Sequence, residues 1–416
     1  VMGKKAAPPF PLFTHFPSPF ERSAYRFYNY IDNSLYPIRP LYFGASVAAF
    51  AAYYTKYGDE SVVLNAVPKV GQGIVANYAR VGAVSLLSAL VPVAVSRFFL
   101  RHFYFKYKRW LFENPKKPSL LTKFWGVVRQ ALSLSPPRLK YAWLYSLFVD
   151  NFVTGFWEKF AYHYSRDSLM ISSSVAHVDL FVDSPATQAV RAAHILYIEA
   201  LSMMAIDRQT YAPLGNGLVC ARHYDKMYAV TRVPCEKIDY LKNAGISSYV
   251  VVLFNGGIYR VDFVDANGRM YNVDELSDIL TELLTREGSE VEGPEGMIPA
   301  LTHDKRPGWA VNRKKYFEDI PKNKKALDTI EAAAFVLILD KDMDWDYDRE
   351  DPEPLSKFLK AMLTGSGTNR WVDKSLNYIV AGNGRCGGTT EHSIADGSEF
   401  DHIMENFVWM DTQILE

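Results

Sequence analysis

The stretch Arg370–Gly397, RWVDKSLNYIVAGNGRCGGTTEHSIADG, carries the densest set of structural signals in this 416-residue chain. Its apolar run Leu376–Val380 predicts a buried strand, and Asn383-Gly384 is a strong signal for a hairpin turn. His392 follows, and Asp396-Gly397 comes four residues later. Histidine titrates near neutral pH and can take a proton from a hydroxyl or a thiol. The stretch therefore predicts a strand hairpin that leads to a candidate general base.

The spacing between His392 and Asp396 suggests a role for the aspartate. If the segment enters a helix, residues four apart share one face, so we expect Asp396 to orient the imidazole. We interpret Asn383-Gly384 and Gly387-Gly388 as turn glycines rather than a phosphate-binding loop, because no helix start follows them directly. An ordinary loop histidine is the alternative interpretation of His392.

From Trp157 onward the pattern is typical of an α/β domain. Ser184-Pro185 predicts the start of a long helix that runs to Ala205. Asp274–Glu287 has leucines at helical spacing, and Phe335–Leu339 reads as a buried strand. The segments Tyr249–Phe254 and Ile258–Val264 flank Asn-Gly-Gly and predict a hairpin, with a further turn at Asn267-Gly268.

Two apolar segments lie near the N-terminus. Val81–Leu100 is apolar for twenty residues except at Arg97, and Leu41–Tyr54 is apolar for fourteen. Twenty helical residues cross a hydrocarbon core of about 30 Å, whereas fourteen are short unless the helix extends to Tyr57. We predict a two-helix transmembrane hairpin; a pair of buried core helices is the alternative.

The distribution of charge gives this hairpin an orientation. The first forty residues carry Lys4, Lys5, Arg22, Arg26 and Arg39, and the stretch from Arg101 to Lys140 has ten Lys or Arg and one acidic residue, Glu113. The connecting loop Gly58–Arg80 has only two basic residues. Because basic residues favour the cytosolic side, both ends are expected in the cytosol and the loop across the membrane. The basic stretch RHFYFKYKRW after the second span suits anionic lipid headgroups.

Composition excludes several classes of protein and site. Lys+Arg and Asp+Glu both number 46, so no net charge points to nucleic acid. Three cysteines without metal-type spacing predict neither a disulfide framework nor a zinc site. The acidic run Asp340–Pro354 imitates a calcium loop, but Tyr347 stands where such a loop needs glycine. We expect no metal and a solvated loop there.

The same Arg370–Gly397 stretch resembles the signature of the choline/carnitine acyltransferase family. Arg370, Trp371, Asp373 and Lys374 precede the apolar strand, and Glu391-His392 precedes Asp396-Gly397. SPATQAVRAAH, LVCARHYDKMYAVTRVP and EDPEP resemble further landmarks of that family in the same order. The two apolar segments and RWLFENPKKPSLLTKFW resemble the long-chain branch that is anchored in the mitochondrial outer membrane. The resemblance covers nearly the whole chain.

The resemblance implies a fold, an activity and site residues. The expected fold is α/β of the coenzyme A-dependent acyltransferase type, first half only, preceded by the transmembrane hairpin. The implied reaction moves a long-chain acyl group, such as palmitoyl, from acyl-CoA to carnitine for mitochondrial fatty-acid import and oxidation. His392 is the implied general base, Asp396 orients it, and Trp157 and Tyr162 of FWEKFAY are implied to bind carnitine. No cofactor is expected, since the coenzyme A thioester is a substrate; the coenzyme A-binding residues are not identified.

The implied organisation has four parts: a cytosolic segment (1–40), the hairpin (41–100), a basic juxtamembrane linker (101–140) and the catalytic portion (141–416). The expected partners are acyl-CoA, carnitine and membrane lipid, not nucleic acid, with an oligomer possible. The expected location is the outer mitochondrial membrane, multi-pass, with both termini in the cytosol.

Two departures from the family pattern qualify the activity. LSLSPPRLKYAW (Leu132–Trp143) runs through where the family has a longer block, and the chain ends at Glu416, before the family's second half. That half supplies coenzyme A contacts and oxyanion stabilisation, an effect commonly worth about 10²–10³ in rate. We therefore expect this chain alone to be weakly active or inactive. The alternatives are a membrane-anchored, non-catalytic relative that binds acyl-CoA or a partner, and an acyltransferase with another acceptor, which the extended signature disfavours.

Overall fold

The computed structural model describes residues 8–68, 73–99, 113–114, 116–132, 157–179, 186–212, 214, 222–288, 290–340, 345 and 351–415. The chain divides into two compact units. One is drawn from Val1–Phe20, Val149–Leu214 and Cys220–Glu416, and the other from Glu21–Phe148 and Gly215–Val219. The stretch Arg101–Trp110, the segment 133–143, Ser184-Pro185 and most of the acidic run after Asp340 lie outside the described residues.

Twelve α-helices lie within the described residues. They are α1 Pro19–Leu35, α2 Pro40–Tyr57, α3 Val62–Ala66, α4 Ile74–Phe99, α5 Leu120–Leu132, α6 Leu169–Ser172, α7 Gln188–Asp207, α8 Val273–Thr285, α9 Arg306–Arg313, α10 Pro321–Ala332, α11 Pro352–Thr364 and α12 Gly397–Met410. Short 3-10 and π-helical segments add to these: Gly58–Glu60, Glu158–His163, Arg222–Lys226, Pro294–His303, Lys314–Glu318 and Asp411–Leu415.

A six-stranded mixed sheet forms the centre of the first unit. Its strands are β1 Ser174–Val178, β4 Tyr249–Phe254, β5 Gly257–Asp262, β6 Val336–Asp340, β7 Leu376–Ala381 and β8 Cys386–Glu391, in the spatial order β1-β8-β7-β6-β4-β5. The strands β4, β6 and β7 are parallel, and the remaining pairs are antiparallel. A separate two-stranded sheet pairs β2 Val230–Val233 with β3 Tyr240–Asn243. The predicted α/β class is confirmed.

Helices cover the sheet because its central strands are apolar along their whole length. Every residue of β7 is buried, which is typical of a strand covered on both faces. Leu327 and Ile330 of α10 and Phe358 and Met362 of α11 belong to one core cluster with strand residues that include Ile379. Helix α7 is buried over most of its surface. The sheet therefore gives the residues at its edges a rigid support.

Both predicted hairpins are confirmed. Strand β4 pairs with β5 from Tyr249↔Asp262 to Phe254↔Gly257, and Asn255 and Gly256 form the two-residue turn with φ of 50° and 76°. Positive φ at both positions is the type I′ geometry, which suits Asn-Gly. Strand β7 turns into β8 through Asn383 and Gly384, where Gly384 has φ of 80°.

Two predicted helix starts differ from the structure. Helix α7 begins at Gln188, and the side chain of Thr187 caps it by accepting from the amide of Val190. Thr187 therefore takes the capping role predicted for Ser184. Helix α8 begins at Val273 rather than Asp274, because Asn272 and Glu275 form a reciprocal capping box.

Gly387 and Gly388 are not turn residues, contrary to the prediction. They lie inside β8, where Gly388 faces His177 of β1 on one side and Tyr378 of β7 on the other. A Cβ atom on Gly388 would lie 2.7 Å from Cε1 of the His177 ring and would also meet the carbonyl oxygen of Asn377. Close packing between neighbouring strands, rather than turn geometry, requires glycine at this position.

The two N-terminal apolar segments form helices that pack together. Tyr54 of α2 donates or accepts a 2.9 Å hydrogen bond with Ser88 of α4, and Tyr54 packs in a small core with Val81 and Val84. Arg97, the charge inside the second segment, donates to the carbonyl of Tyr36 at 3.0 Å. Within the second unit α2 and α4 therefore form a packed pair with a polar contact between them.

Of the two N-terminal helices, only α4 has the length and apolar composition of a membrane span. Among the described helices, only Ile74–Phe99 and Gln188–Asp207 are long and apolar enough to cross a membrane. The second of these is 83% buried within the protein, as expected for a core helix, against 28% for the first. Helix α2 spans 18 residues and does not reach the same criterion. The predicted transmembrane hairpin is therefore not established, and of its two helices only α4 has the length and apolarity of a span.

Replacing Gly388 with alanine should destabilise the first unit by about 1–3 kcal/mol, because an added methyl group must displace packed neighbours. Gly397→Ala is the matched control, since nothing lies within 4 Å of a Cβ at that position. Denaturant unfolding in detergent measures the difference. Equal stability of the two variants would contradict the close packing described for β8.

Candidate active site

His392 lies immediately after β8, at the edge of the sheet where β7 begins. Its backbone amide donates to the carbonyl of Ser173 at 3.3 Å, and the backbone amide of Glu391 donates to the carbonyl of Ser375 at 3.1 Å. His392 occupies a turn before α12, so the histidine is not on a helix. The imidazole is half-buried, which leaves it within reach of a ligand.

The contacts of Nδ1 fix the tautomer of His392. Nδ1 lies 3.1 Å from the carbonyl oxygen of Ala395. Because a carbonyl oxygen only accepts hydrogen bonds, Nδ1 must carry the proton. The neutral ring then has its lone pair on Nε2. A ring held in this way can act as a base through Nε2.

Tyr162 packs directly against His392. The two rings stack with centroids 5.4 Å apart and planes at 28°, and the tyrosine hydroxyl lies 3.4 Å from Nδ1. Tyr162 sits in the π-helical segment Glu158–His163, whose wider turn changes the direction of its side chains relative to an α-helix. The structure thus brings together two predicted site residues that are 230 positions apart.

Trp157 lies at the start of the same helical segment as Tyr162. Its side chain is 58% exposed, so the indole face is open to a ligand. Neighbouring Glu158 accepts from Nζ of Lys226 at 2.6 Å, which ties this segment to the segment Arg222–Lys226. The position is compatible with a cation-binding aromatic, but no described contact joins Trp157 to His392.

Asp396 is placed differently from the prediction. It precedes α12 as the N-cap residue, and its amide donates to Oε2 of Glu399 at 2.7 Å. Its carboxylate accepts from Oγ of Ser398 at 3.1 Å. The predicted shared helical face with His392 is wrong, because the helix begins only after Asp396. Any influence on the imidazole passes through the turn, whose Ala395 carbonyl holds Nδ1.

Glu391 connects the turn that carries His392 to the protein interior. Its Oε1 accepts from Nη1 of Arg232 at 3.1 Å and from Oγ of Ser173, and its Oε2 accepts from the amide of Ser393 at 3.1 Å. The same Arg232 donates from Nη2 to the carbonyl of Tyr162 at 2.7 Å. One buried arginine therefore positions both the residue before His392 and the residue stacked upon it.

The ionic contacts continue away from the site. Nε of Arg232 and Nε of Arg306 donate to Oδ2 of Asp239 at 2.9 and 2.7 Å. Arg306 also donates to Asp373 at 2.6 Å, and Nε1 of Trp309 donates to the other oxygen of Asp373 at 2.6 Å. We call this set the Glu391–Asp373 network; its members are Glu391, Arg232, Asp239, Arg306 and Asp373. All five side chains are at least 97% buried.

Within the network the arginines favour the charged form of Asp239, whereas burial raises the pKa of Asp373 despite its contacts with Arg306 and Trp309. Burial alone would raise the pKa of Asp239, but Arg306 and Arg232 outweigh it and hold that pKa below its usual value. Burial also acts on Lys374 and lowers its pKa to about 7, with the Glu331 carboxylate opposing this effect. Lys374 donates to the carbonyl of Glu331 at 2.5 Å. The protonation of these buried groups thus depends on burial and on their partners rather than on contact with water.

The remaining signature residues support the fold. Arg370 is fully buried and donates to the carbonyls of Ala361 and Met362, in the last turn of α11, at 2.8 and 3.1 Å. Burial lowers the pKa of Arg370 to about 10. Trp371 lies in the core cluster of the sheet. These contacts give Arg370 and Trp371 a structural role that requires no part in the chemistry.

Arg232, Asp239 and Arg306 were not singled out from the sequence. Arg232 stands in the apolar run AVTRV, so a charge inside a strand pattern was the available signal. Asp239 and Arg306 lie in polar surroundings of the sequence, where nothing distinguishes a buried charge from an exposed one. Among the described residues, no group of three His, Cys, Asp or Glu side chains is arranged to hold a metal ion.

Comparison with known proteins assigns most of this chain to one family. The model of the family described as choline/carnitine O-acyltransferase matches residues 139–414. The liver isoform of human carnitine O-palmitoyltransferase 1 is 31% identical over 288 residues, which cover 68% of this chain and 37% of that protein. The muscle isoform from Sus scrofa is 34% identical over 281 residues, covering 66% of this chain and 36% of that protein.

A further relative aligns with a shorter segment. The mitochondrial carnitine O-palmitoyltransferase 2 of Rattus norvegicus is 35% identical over 174 residues, which cover 42% of this chain and 24% of that protein. This chain spans little more than a third of the length of the curated relatives it matches.

Proposed function

The chain belongs to the choline/carnitine acyltransferase family, and from that premise we propose that it forms part of an enzyme that transfers long-chain acyl groups between coenzyme A and carnitine. The observation that carries the proposal is His392, whose Nδ1 is held by a carbonyl so that Nε2 has the lone pair. The relatives are carnitine O-palmitoyltransferases, which supports the proposed acyl donor and acceptor.

The proposed mechanism needs one proton acceptor and no covalent enzyme intermediate. Nε2 of His392 takes the proton from the carnitine hydroxyl as the oxygen attacks the thioester carbonyl. The tetrahedral intermediate collapses with loss of the coenzyme A thiolate. The thiolate then takes this proton from the imidazolium, which restores the neutral ring. In the reverse direction the same nitrogen takes the proton from the thiol.

The Ala395 carbonyl and Tyr162 have supporting parts in this mechanism. The carbonyl stabilises the imidazolium that forms on proton transfer, because Nδ1–H keeps its acceptor in both protonation states. Tyr162 stacks on the ring and limits its rotation. Asp396 orients the base only indirectly, by capping α12 and so shaping the turn that carries Ala395.

We place the trimethylammonium group of carnitine near Trp157 and its polar end near Tyr162. A quaternary ammonium group is attracted to the face of an indole, and the exposed Trp157 offers such a face. The tyrosine hydroxyl can donate to a carboxylate beside the base. Both residues lie on the segment from Trp157 to His163, so one element would align the acceptor with Nε2.

We also propose that α4 anchors the protein in the mitochondrial outer membrane, with α2 as its hairpin partner and both termini in the cytosol. Helix α4 has the length and apolarity of a span, and apolar side chains such as Leu87, Val91 and Val95 are exposed. Glycine and serine positions on α2 and α4 suit helix packing within lipid. The basic residues that flank the pair support the orientation.

Substituting His392 with alanine in the full-length protein that carries this sequence should lower acyl transfer from palmitoyl-CoA to carnitine by about 10²–10⁴-fold, the usual contribution of a general base. Palmitoylcarnitine formation in isolated membranes measures the loss. His15→Ala, at an exposed histidine, is the control and should retain activity. Activity retained in His392→Ala would show that His392 is not the general base. A wild-type protein that binds palmitoyl-CoA without transfer would instead favour the non-catalytic alternative.

Substituting Trp157 with alanine should raise the KM for carnitine about two- to fivefold, which corresponds to the loss of an exposed cation–π contact of about 0.5–1 kcal/mol. The KM for palmitoyl-CoA should not change. Phe160→Ala, at another exposed aromatic of the same segment, is the matched control. An unchanged KM for carnitine in Trp157→Ala would contradict the proposed ammonium site.

The proposed topology predicts that protease added to intact mitochondria leaves the segment between α2 and α4 (residues 58–73) uncut and cleaves it once the outer membrane is opened. Alkaline carbonate should leave the protein in the membrane pellet, because α4 crosses the bilayer. Cleavage of this loop in intact organelles would overturn the orientation.

A further inference from the structure

Helix α5, Leu120–Leu132, is the strongest unexplained feature of the second unit. Ser119 caps it, since its hydroxyl accepts from the amide of Thr122 at 3.3 Å. The amide of Ser119 donates to Oε2 of Glu113 at 2.8 Å, so Glu113 lies against the helix start. An acidic group is stabilising at that end of a helix. The N-terminus of α5 is therefore capped, and it follows closely after Lys116 and Lys117.

One face of α5 is apolar and exposed. Leu120, Leu121, Phe124 and Val127 are 84%, 51%, 64% and 65% exposed. At 100° per residue, positions 120, 124 and 127 lie within about 60° of one another, and position 121 adjoins them. Thr122 and Gly126 occupy the opposite side, and Lys123 flanks the apolar face next to Val127. Contiguous exposed apolar residues opposite a polar face mark a surface that another body covers.

The basic residues around α5 indicate what covers its apolar face. Lys116, Lys117 and Lys123 are exposed, and the helix itself contains no Asp or Glu. From Arg101 to Lys140 there are ten Lys or Arg and one acidic residue. A helix with apolar leucine, valine and aromatic residues on one face and lysine at its border is typical of the surface of an anionic membrane. Near such a surface each lysine strengthens binding about fivefold.

The position of α5 in the chain agrees with that occupant. Residues 100–119 separate Phe99, the last residue of α4, from Leu120. A fully extended chain of that length reaches at most about 70 Å. If α4 crosses a bilayer, α5 stays on the side of the basic residues and close to the headgroups. The inference therefore rests on the membrane placement proposed for α4.

We propose that α5 is an interfacial helix that lies along an anionic lipid surface, with Leu120, Leu121, Phe124 and Val127 inserted below the headgroups. Lys116, Lys117 and Lys123 contact the phosphates and other anionic groups of the lipids. The helix gives the chain a second membrane attachment, distinct from the span. It fixes the point at which the polypeptide leaves the membrane surface.

The test uses an environment-sensitive nitrobenzoxadiazole fluorophore on single cysteines in the full-length protein, with Cys220, Cys235 and Cys386 replaced by serine. The protein is reconstituted in phosphatidylcholine vesicles with or without phosphatidylserine. A probe at Val127→Cys should emit at shorter wavelength and be quenched by lipids with brominated acyl chains, more strongly with phosphatidylserine. A probe at Thr122→Cys, on the polar side, should remain water-like and unquenched.

A second pair of substitutions separates insertion from charge. In the protein labelled at position 127, Phe124→Glu should reduce quenching several-fold, because a carboxylate opposes insertion of the apolar face. Thr122→Glu adds the same charge on the polar side of the helix, where it weakens only the contact with the headgroups. The loss of quenching should therefore be about fivefold smaller than in Phe124→Glu. Equal loss in the two variants would overturn insertion of this face.

Other outcomes also decide the matter. A probe at residue 127 that emits at short wavelength but is not quenched by brominated lipids would show that protein covers the face, and would overturn the proposal. A water-like probe would overturn it as well. Carbonate extraction of the same vesicles tests α4 separately. Extraction of the chain would contradict the span, whereas quenching at residue 127 before extraction would still support the interfacial helix.

Discussion

The buried Glu391–Asp373 network is the constraint on which the candidate site depends. Five charged side chains are removed from water, and each is compensated by partners from a different part of the chain. Removing one member of a buried pair commonly costs about 3–5 kcal/mol, because the remaining charge is left without solvent or partner. The turn with His392, the segment with Tyr162 and the signature aspartate therefore form only as a set.

This network explains why the site is built at an edge of the sheet. Strands β7 and β8 present Asp373 and Glu391 at the same edge, since one precedes β7 and the other ends β8. Arg232, next to the end of β2, fills the space between them and reaches the carbonyl of Tyr162. Rigid strands hold the acids, and the arginines transmit their positions to a segment that is far away in the sequence. A base that must meet its substrate with small error benefits from such support.

Local patterns predicted the elements well where a local rule decides the conformation. The Asn255-Gly256 turn and the apolar strand Phe335–Leu339 follow from backbone preference and hydrophobicity alone. Gly388 was misread because glycine serves turns and close strand packing equally well in a sequence. Asp396 was misread for a similar reason, since an HxxxD spacing cannot tell whether the helix begins before the histidine or after the aspartate.

The sequence by itself determined the α/β class, the strand hairpin before His392, and the resemblance that singles out His392, Trp157 and Tyr162. The class and the hairpin depend on periodicity and turn residues, which are local properties, whereas the roles of the three site residues are what the resemblance implies. Only the tertiary structure decided that Tyr162 stacks on His392 and that Arg232 holds Tyr162 and Glu391. Those contacts join residues 230 and 159 positions apart. No local preference encodes such pairings, because they exist only when the sheet has brought its edge residues together and excluded water from the charges between them.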